Sequence, residues 1–268
     1  MRAIGRVALH VFRDSVRDKV LYSIVVFAVL LMAVSYLIGQ LTAGQDVKII
    51  KDLGLAAMSL FGLFIAIFIG IGLVAREIDR RSIYAVLAKP VRRQEFIVGK
   101  YLGLLATLLV NLAVMAVAYY VVLAYMGRAL PAVMFKGEPP AADPRLLLGI
   151  VMIAAELALV TAVALFCSTF SSSALLSAAL TAGVYVAGQF GADLKNLGQV
   201  VESPVAAAVG RGLYYLLPNF AAFDIKAQVV HGLPIEPGYV VVTLLYGAVY
   251  VTMLLVGAVL IFSRRDFK

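Results

Sequence analysis

Glu156 is an acidic residue set inside a long apolar run. The stretch 146–166 around it holds no Lys, no Arg and no second acid. An ionisable side chain at bilayer depth is costly and usually faces a bundle interior or a water-filled cavity. Two readings fit the position. One is a contact for a substrate, a proton or a cation. The other is a protonated or hydrogen-bonded glutamate that fastens helices together. Asn111 in the preceding apolar stretch and Thr161 in the same stretch are polar side chains that stand as candidate partners.

Other signatures of chemistry are few. No G-x-x-x-x-G-K-[ST] phosphate loop occurs, so the sequence offers no ATP site of its own. No H-E-x-x-H occurs, and His10 and His231 are far apart, which argues against a metal site. Cys167 is the single cysteine and can form no internal disulfide. Gly70-Ile71-Gly72 looks like a fragment of a dinucleotide fingerprint, but no strand precedes it, and glycines in an apolar helix serve packing. The chain therefore reads as a non-enzyme with no cofactor.

A charged segment lies between two apolar runs. It contains Arg76, Glu77, Asp79, Arg80, Arg81, Tyr84, Leu87, Lys89 and Pro90. Glu77 and Arg81 are four apart, a favourable helical pair. Ile78, Ser82, Tyr84, Ala85, Val86 and Leu87 give a short helix with an apolar surface, and Pro90 breaks it. Such a helix, held just outside a membrane, suits docking on a cytoplasmic partner. An ordinary basic loop that orients the spans is the competing reading.

The elements that carry these residues follow from composition. Of 268 residues, 63% are hydrophobic and 14% are charged, and the mean hydropathy is +1.00. Soluble domains run about 45–50% apolar and about 25% charged, so a soluble enzyme and a disordered chain are both poor descriptions. Six stretches are near or above the ~20 residues a bilayer needs: 20–38, 53–75, 97–126, 146–166, 174–190 and 239–262. The fifth is the shortest, and its Ser177, Ala178, Ala182 and Gly183 suit close helix packing. The expected fold is all-α and polytopic, one membrane domain over 1–268. Residues 1–19 form an amphipathic interfacial helix, with Ile4, Val7, Ala8, Val11, Phe12 and Val16 on one stripe. A long outer loop covers 191–238. Within it, 205–217 is apolar enough to lie against the outer leaflet, and Tyr214, Tyr215, Phe220 and Phe223 suit interface anchors.

The net charge is +8, which in a soluble protein would point to nucleic acid. Here the charges sort by side. Fifteen Lys and Arg fall on the side of the two termini and of the 76–100 segment, and eight fall on the other. The positive-inside rule then puts both termini in the cytoplasm, and nucleic acid drops out as a partner.

The stretch 87–100 reads Leu-Ala-Lys-Pro-Val-Arg-Arg-Gln-Glu-Phe-Ile-Val-Gly-Lys. Together with the preceding glutamate and basic residues, it resembles the ABC-2 type permeases of ATP-binding-cassette exporters. The Leu-Leu-Pro-Asn-Phe run at 216–220 and the Arg-Arg-Asp-Phe ending at 264–267 are also similar. The closest subgroup is similar to the permeases of nitrous-oxide-reductase maturation and gliding-motility systems. The resemblance implies a half-transporter in the bacterial inner membrane, with short helices in the extracytoplasmic loop 191–238. A second permease copy would pair with it as a homodimer or a related heterodimer. A separate ATPase holding ATP and Mg would dock on the 76–90 coupling segment. A secondary transporter and a non-transporting membrane regulator coupled to an ATPase stay open beside that reading. An intramembrane enzyme would need more convergent groups than Glu156.

Overall fold

The computed structural model describes residues 2–16, 46–79, 92–129, 140–171, 173–191 and 204–264, with isolated positions between 22 and 34. Among these residues the chain is helical, with no strand. The helices are α1 (Arg2–Val16), α2 (Asp46–Asp79), α3 (Arg93–Ala129), α4 (Arg145–Phe170), α5 (Ala174–Gln189), α6 (Pro204–Leu216), α7 (Lys226–Val230) and α8 (Pro237–Arg264). A 3-10 turn covers Ala221–Phe223.

Four of the described helices contain stretches long and apolar enough to cross a membrane: Val47–Phe68, Arg93–Arg128, Arg145–Phe170 and Pro237–Ser263. The apolar helix Ala174–Gln189 is shorter. The expected span 20–38 lies largely outside the described residues. Those described within it, 22, 24–26, 29–30 and 34, are helical.

Helix α4 is the hub. Residues on every side of it are buried, Leu146, Met152, Leu159 and Leu165 among them, as expected of a helix apolar all round. It packs against α2, α3, α5 and α8. It runs to Phe170, four residues beyond the expected end. Ser168 and Thr169 lie within the helix, and their hydroxyls are satisfied by donating to the Leu165 and Phe166 carbonyls at 2.6 and 2.7 Å. Ser173 then caps α5, accepting the Leu176 N–H at 3.2 Å, so α4 and α5 form a tight antiparallel pair. On α5, Ser177 is buried but Gly183 faces open space, so the stripe expected to pack does so only in part.

Helix α2 begins at Asp46, seven residues before the expected 53. The charged start folds into the helix because Lys51 is buried and donates to the Pro140 carbonyl at 2.8 Å. Tyr119 donates to the Lys51 carbonyl at 3.1 Å and Tyr120 to the Asp143 carbonyl at 3.2 Å. Asp143 Oδ1 accepts the Arg145 N–H at 2.9 Å and satisfies an orphan donor at the start of α4. These bonds tie α2, α3 and α4 together at one end of the bundle, called here the far end.

Helix α1 packs at the opposite end, across the start of α3. Its Val11 is buried and its Val7 half-buried, while Arg6, His10, Arg13 and Asp14 are exposed. The expected stripe is real, but protein covers it. Gly99 and Gly103 let the two backbones approach closely. A Cβ at Gly103 would stand 2.6 Å from the Ala8 carbonyl oxygen, and one at Gly99 would stand 3.0 Å from that of Ile4. This is the G-x-x-x-G spacing that membrane helices use for close contact.

Candidate functional site

One cluster of polar side chains at depth surrounds Glu156. The glutamate lies 11 residues into α4, about 17 Å along the helix, and is 1% exposed. Its Oε1 accepts Gln189 Nε2 at 2.8 Å and the Tyr185 hydroxyl at 3.2 Å. Gln189 Nε2 also reaches the Tyr185 hydroxyl at 3.0 Å. Tyr185 and Gln189 are four apart on α5, so one face of that helix presents both donors. Glu156 Oε2 is buried and has no hydrogen-bond partner among the described residues.

The candidate partners are elsewhere. Asn111 Nδ2 donates to the Thr107 carbonyl of its own helix at 2.8 Å, and Thr161 Oγ1 donates to the Leu157 carbonyl at 2.8 Å. Both satisfy themselves locally. The sequence reading missed Tyr185 and Gln189, whose available signal was two polar residues one turn apart in the fifth apolar stretch.

The segment after α6 completes the cluster. Pro218 ends the helical stretch, and the chain then enters the bundle. Phe220, Phe223, Ile225, Val229 and Val230 are all at most 2% exposed. The Phe220 N–H donates to the Gly188 carbonyl at 3.2 Å, and the Asn219 N–H donates to the Tyr246 hydroxyl at 2.8 Å. Gly188 is needed here, because any Cβ would collide with the Pro218 carbonyl and the Phe220 ring. Phe220 packs on Tyr185 with ring centroids 5.2 Å apart. Phe220 and Phe223 are therefore core residues rather than interface anchors. Tyr215, at 77% exposure, remains available to a surrounding phase.

Lys226 is carried in on the same segment. Its Nζ stands 3.3 Å from Asp224 Oδ1 and 3.5 Å from Ser59 Oγ on α2. Ser59 lies 13 residues from the start of α2, about 20 Å along it. The lysine thus reaches well below the far end.

The coupling candidates fall at the other end. Arg76, Glu77 and Asp79 belong to the last turns of α2. Arg80, Arg81, Tyr84, Leu87, Lys89 and Pro90 lie outside the described residues. The chain re-enters the bundle at α3 through a firm joint. Arg93 Nη1 donates to the Phe262 and Ser263 carbonyls at 3.1 and 2.8 Å, which satisfies carbonyls at the end of α8. Phe96 stacks on Phe262 at 5.8 Å, and Lys100 Nζ sits 4.7 Å from the Phe96 ring centre. The start of α3 is thereby fixed to both α1 and α8. Among the described residues no group of three or more His, Cys, Asp or Glu is placed to hold a metal ion.

Long apolar helices packed around a buried one, with charge confined to the ends and one internal cluster, define a polytopic membrane protein. Comparison with known proteins sharpens this. The family model described as ABC-2 family transporter protein matches residues 6–267, and the chain belongs to that family. It is a membrane protein of an ABC transporter family, and the family implies an ABC ATPase as partner. None of the curated proteins compared with it matches significantly.

Proposed function

We propose that the chain is the permease subunit of an ATP-binding-cassette exporter, most similar to the nitrous-oxide-reductase maturation and gliding-motility subgroup. Two copies pair to form the translocation pathway in the inner membrane, with both termini in the cytoplasm. The observation that carries the reading is the family match over nearly the whole chain. A basic segment between two apolar runs and a sequence without a phosphate loop are consistent with it.

In this reading the segment 76–90 seats in the ATPase, which supplies ATP and Mg. Closure of the ATPase dimer moves the end of α2 and the start of α3. The Arg93 joint carries that motion to α8, and the Gly99–Gly103 contact carries it to α1. Motion through packed elements needs such fixed contacts. Replacing Glu77, Arg80 and Arg81 together with alanine is expected to reduce ATP-driven transport at least tenfold in reconstituted vesicles. Unchanged transport would remove the segment from the coupling role.

A further inference from the structure

We infer that the far end of the bundle holds a water-filled vestibule, which brings water to Asp224 and Lys226 within the depth of the bilayer. Three contacts set the depth. The Asn219 N–H donates to the Tyr246 hydroxyl at 2.8 Å, and Tyr246 lies nine residues into α8, about 14 Å along it. The Phe223 ring packs against Gly247, the next residue, where an added Cβ would stand 3.0 Å from it. Lys226 Nζ stands 3.5 Å from Ser59 Oγ, and Ser59 is three residues nearer the far end than Gly62, which packs against Leu157. Leu157 lies 12 residues into α4, about 18 Å along it, so Ser59 is level with a point about 14 Å below the start of α4. Helices α4 and α8, of 26 and 28 residues, are about 39 and 42 Å long. Centred on a hydrocarbon layer of about 30 Å, they overhang it by roughly 5 Å at each end. The contacts of residues 219–226 therefore lie about 9 Å inside that layer.

Two faces exposed at this depth differ in kind. On α8, the large apolar side chains Val242, Leu245, Val249 and Met253 are exposed, a stripe suited to acyl chains. On the segment after α6, Phe223, Ile225 and Val229 turn inward, while Ala221, Asp224 and Ala227 are exposed. That second face carries no large apolar side chain. Its carboxylate is 46% exposed and stands 3.3 Å from the Lys226 ammonium. Charge turned toward acyl chains is costly, and charges at depth face a bundle interior or a water-filled cavity. The backbone points the same way. Residues 217–220 and 224–225 lie outside any helix, and such backbone is tolerated at membrane depth where it is buried in protein or lines water. Burial accounts for one side of the segment, and water accounts for the other. The vestibule presents an ammonium and a carboxylate side by side to a polar solute. In the proposed permease it forms the outer mouth of the pathway. That role rests on the proposed function, whereas access of water is a property of the chain.

The test is thiol labelling of the full chain in lipid nanodiscs with a cationic methanethiosulfonate, which does not enter the hydrocarbon layer. The unaltered chain gives the baseline, because its single thiol, Cys167, is buried. Ala221→Cys and Ala227→Cys each put a thiol on the exposed face of the segment. Leu245→Cys puts one on the apolar stripe of α8, eight residues and about 12 Å from its start. All three positions are exposed, so the substitutions leave the core intact. The two segment thiols are expected to react at least tenfold faster than the α8 thiol. A segment thiol as slow as that of Leu245→Cys would overturn the vestibule and show that lipid or a second chain covers this face. An α8 thiol as fast as the segment thiols would also overturn it, by placing this level outside the hydrocarbon layer. Should one segment variant fail to fold, the other decides alone. None of these readings involves the ATPase, so loss of the vestibule and loss of the permease assignment are separable results.

Discussion

Replacing Gly103 with leucine is expected to lift α1 off the bundle. A Cβ at this position stands 2.6 Å from the Ala8 carbonyl oxygen and 2.7 Å from Val11 Cβ. The first obstacle is backbone, so no rotamer change in α1 relieves it, and the whole helix must retreat. Overpacking of this kind costs about 2–3 kcal/mol, roughly a hundredfold in a local opening equilibrium. Protection of residues 2–16 in hydrogen exchange should fall by about that factor while the α4 core keeps its own. Gly183→Leu is the matched control. It places the same side chain on another apolar helix, where nothing lies within 4 Å of the added Cβ. Equal protection in the two variants would show that α1 does not depend on the close contact.

Phe220→Ala is expected to be the most destabilising single truncation in the far half. The ring is fully buried, packs on Tyr185 at 5.2 Å and fills the space that Gly188 leaves. Removing a buried phenylalanine costs about 3–5 kcal/mol, because its dispersion contacts are lost and the cavity collapses only in part. Tyr185 loses its support, so the hydrogen bond to Glu156 should loosen with it. Thermal unfolding in detergent, with Tyr215→Ala as the exposed control, reads the difference. A loss below about 1 kcal/mol would show that the segment 217–231 is not part of the core.

The apolar stretches were legible because a bilayer span needs a long run without Lys or Arg, and residues 101–126, 146–166 and 239–262 supply one. Their ends were less legible. Charge around Asp46, Lys48, Lys51 and Asp52 reads as loop, yet α2 includes it. Lys51 is held by the Pro140 carbonyl, a partner 89 residues away that no local pattern announces. The α1 stripe was legible, but its cover was not, because an apolar face looks the same against lipid as against protein. The spacing of Gly99 and Gly103 was the signal that separates the two.

At the site, Glu156 stood out because an acid in an apolar run has few explanations. Its partners did not, since Tyr185 and Gln189 meet it only when α4 and α5 pack antiparallel. Lys226 was hidden differently. It lies in a stretch broken by prolines that reads as external cap, and only the descent of Phe220, Phe223 and Ile225 into the core carries it to depth. Burial of aromatic side chains depends on what surrounds them, and sequence alone does not distinguish an anchor at an interface from a wedge in a bundle.

The central claim is that this chain is driven by a separate ATPase bound at the segment 76–90. The most direct measurement is purification of the tagged full-length chain from native membranes, with the mass of the intact complex determined. The account predicts capture of an ATP-binding-cassette ATPase in a complex of two permeases and two ATPases. It also predicts loss of that ATPase from the Glu77, Arg80 and Arg81 triple alanine variant. Recovery of a chain that catalyses transport with no ATPase bound would contradict it.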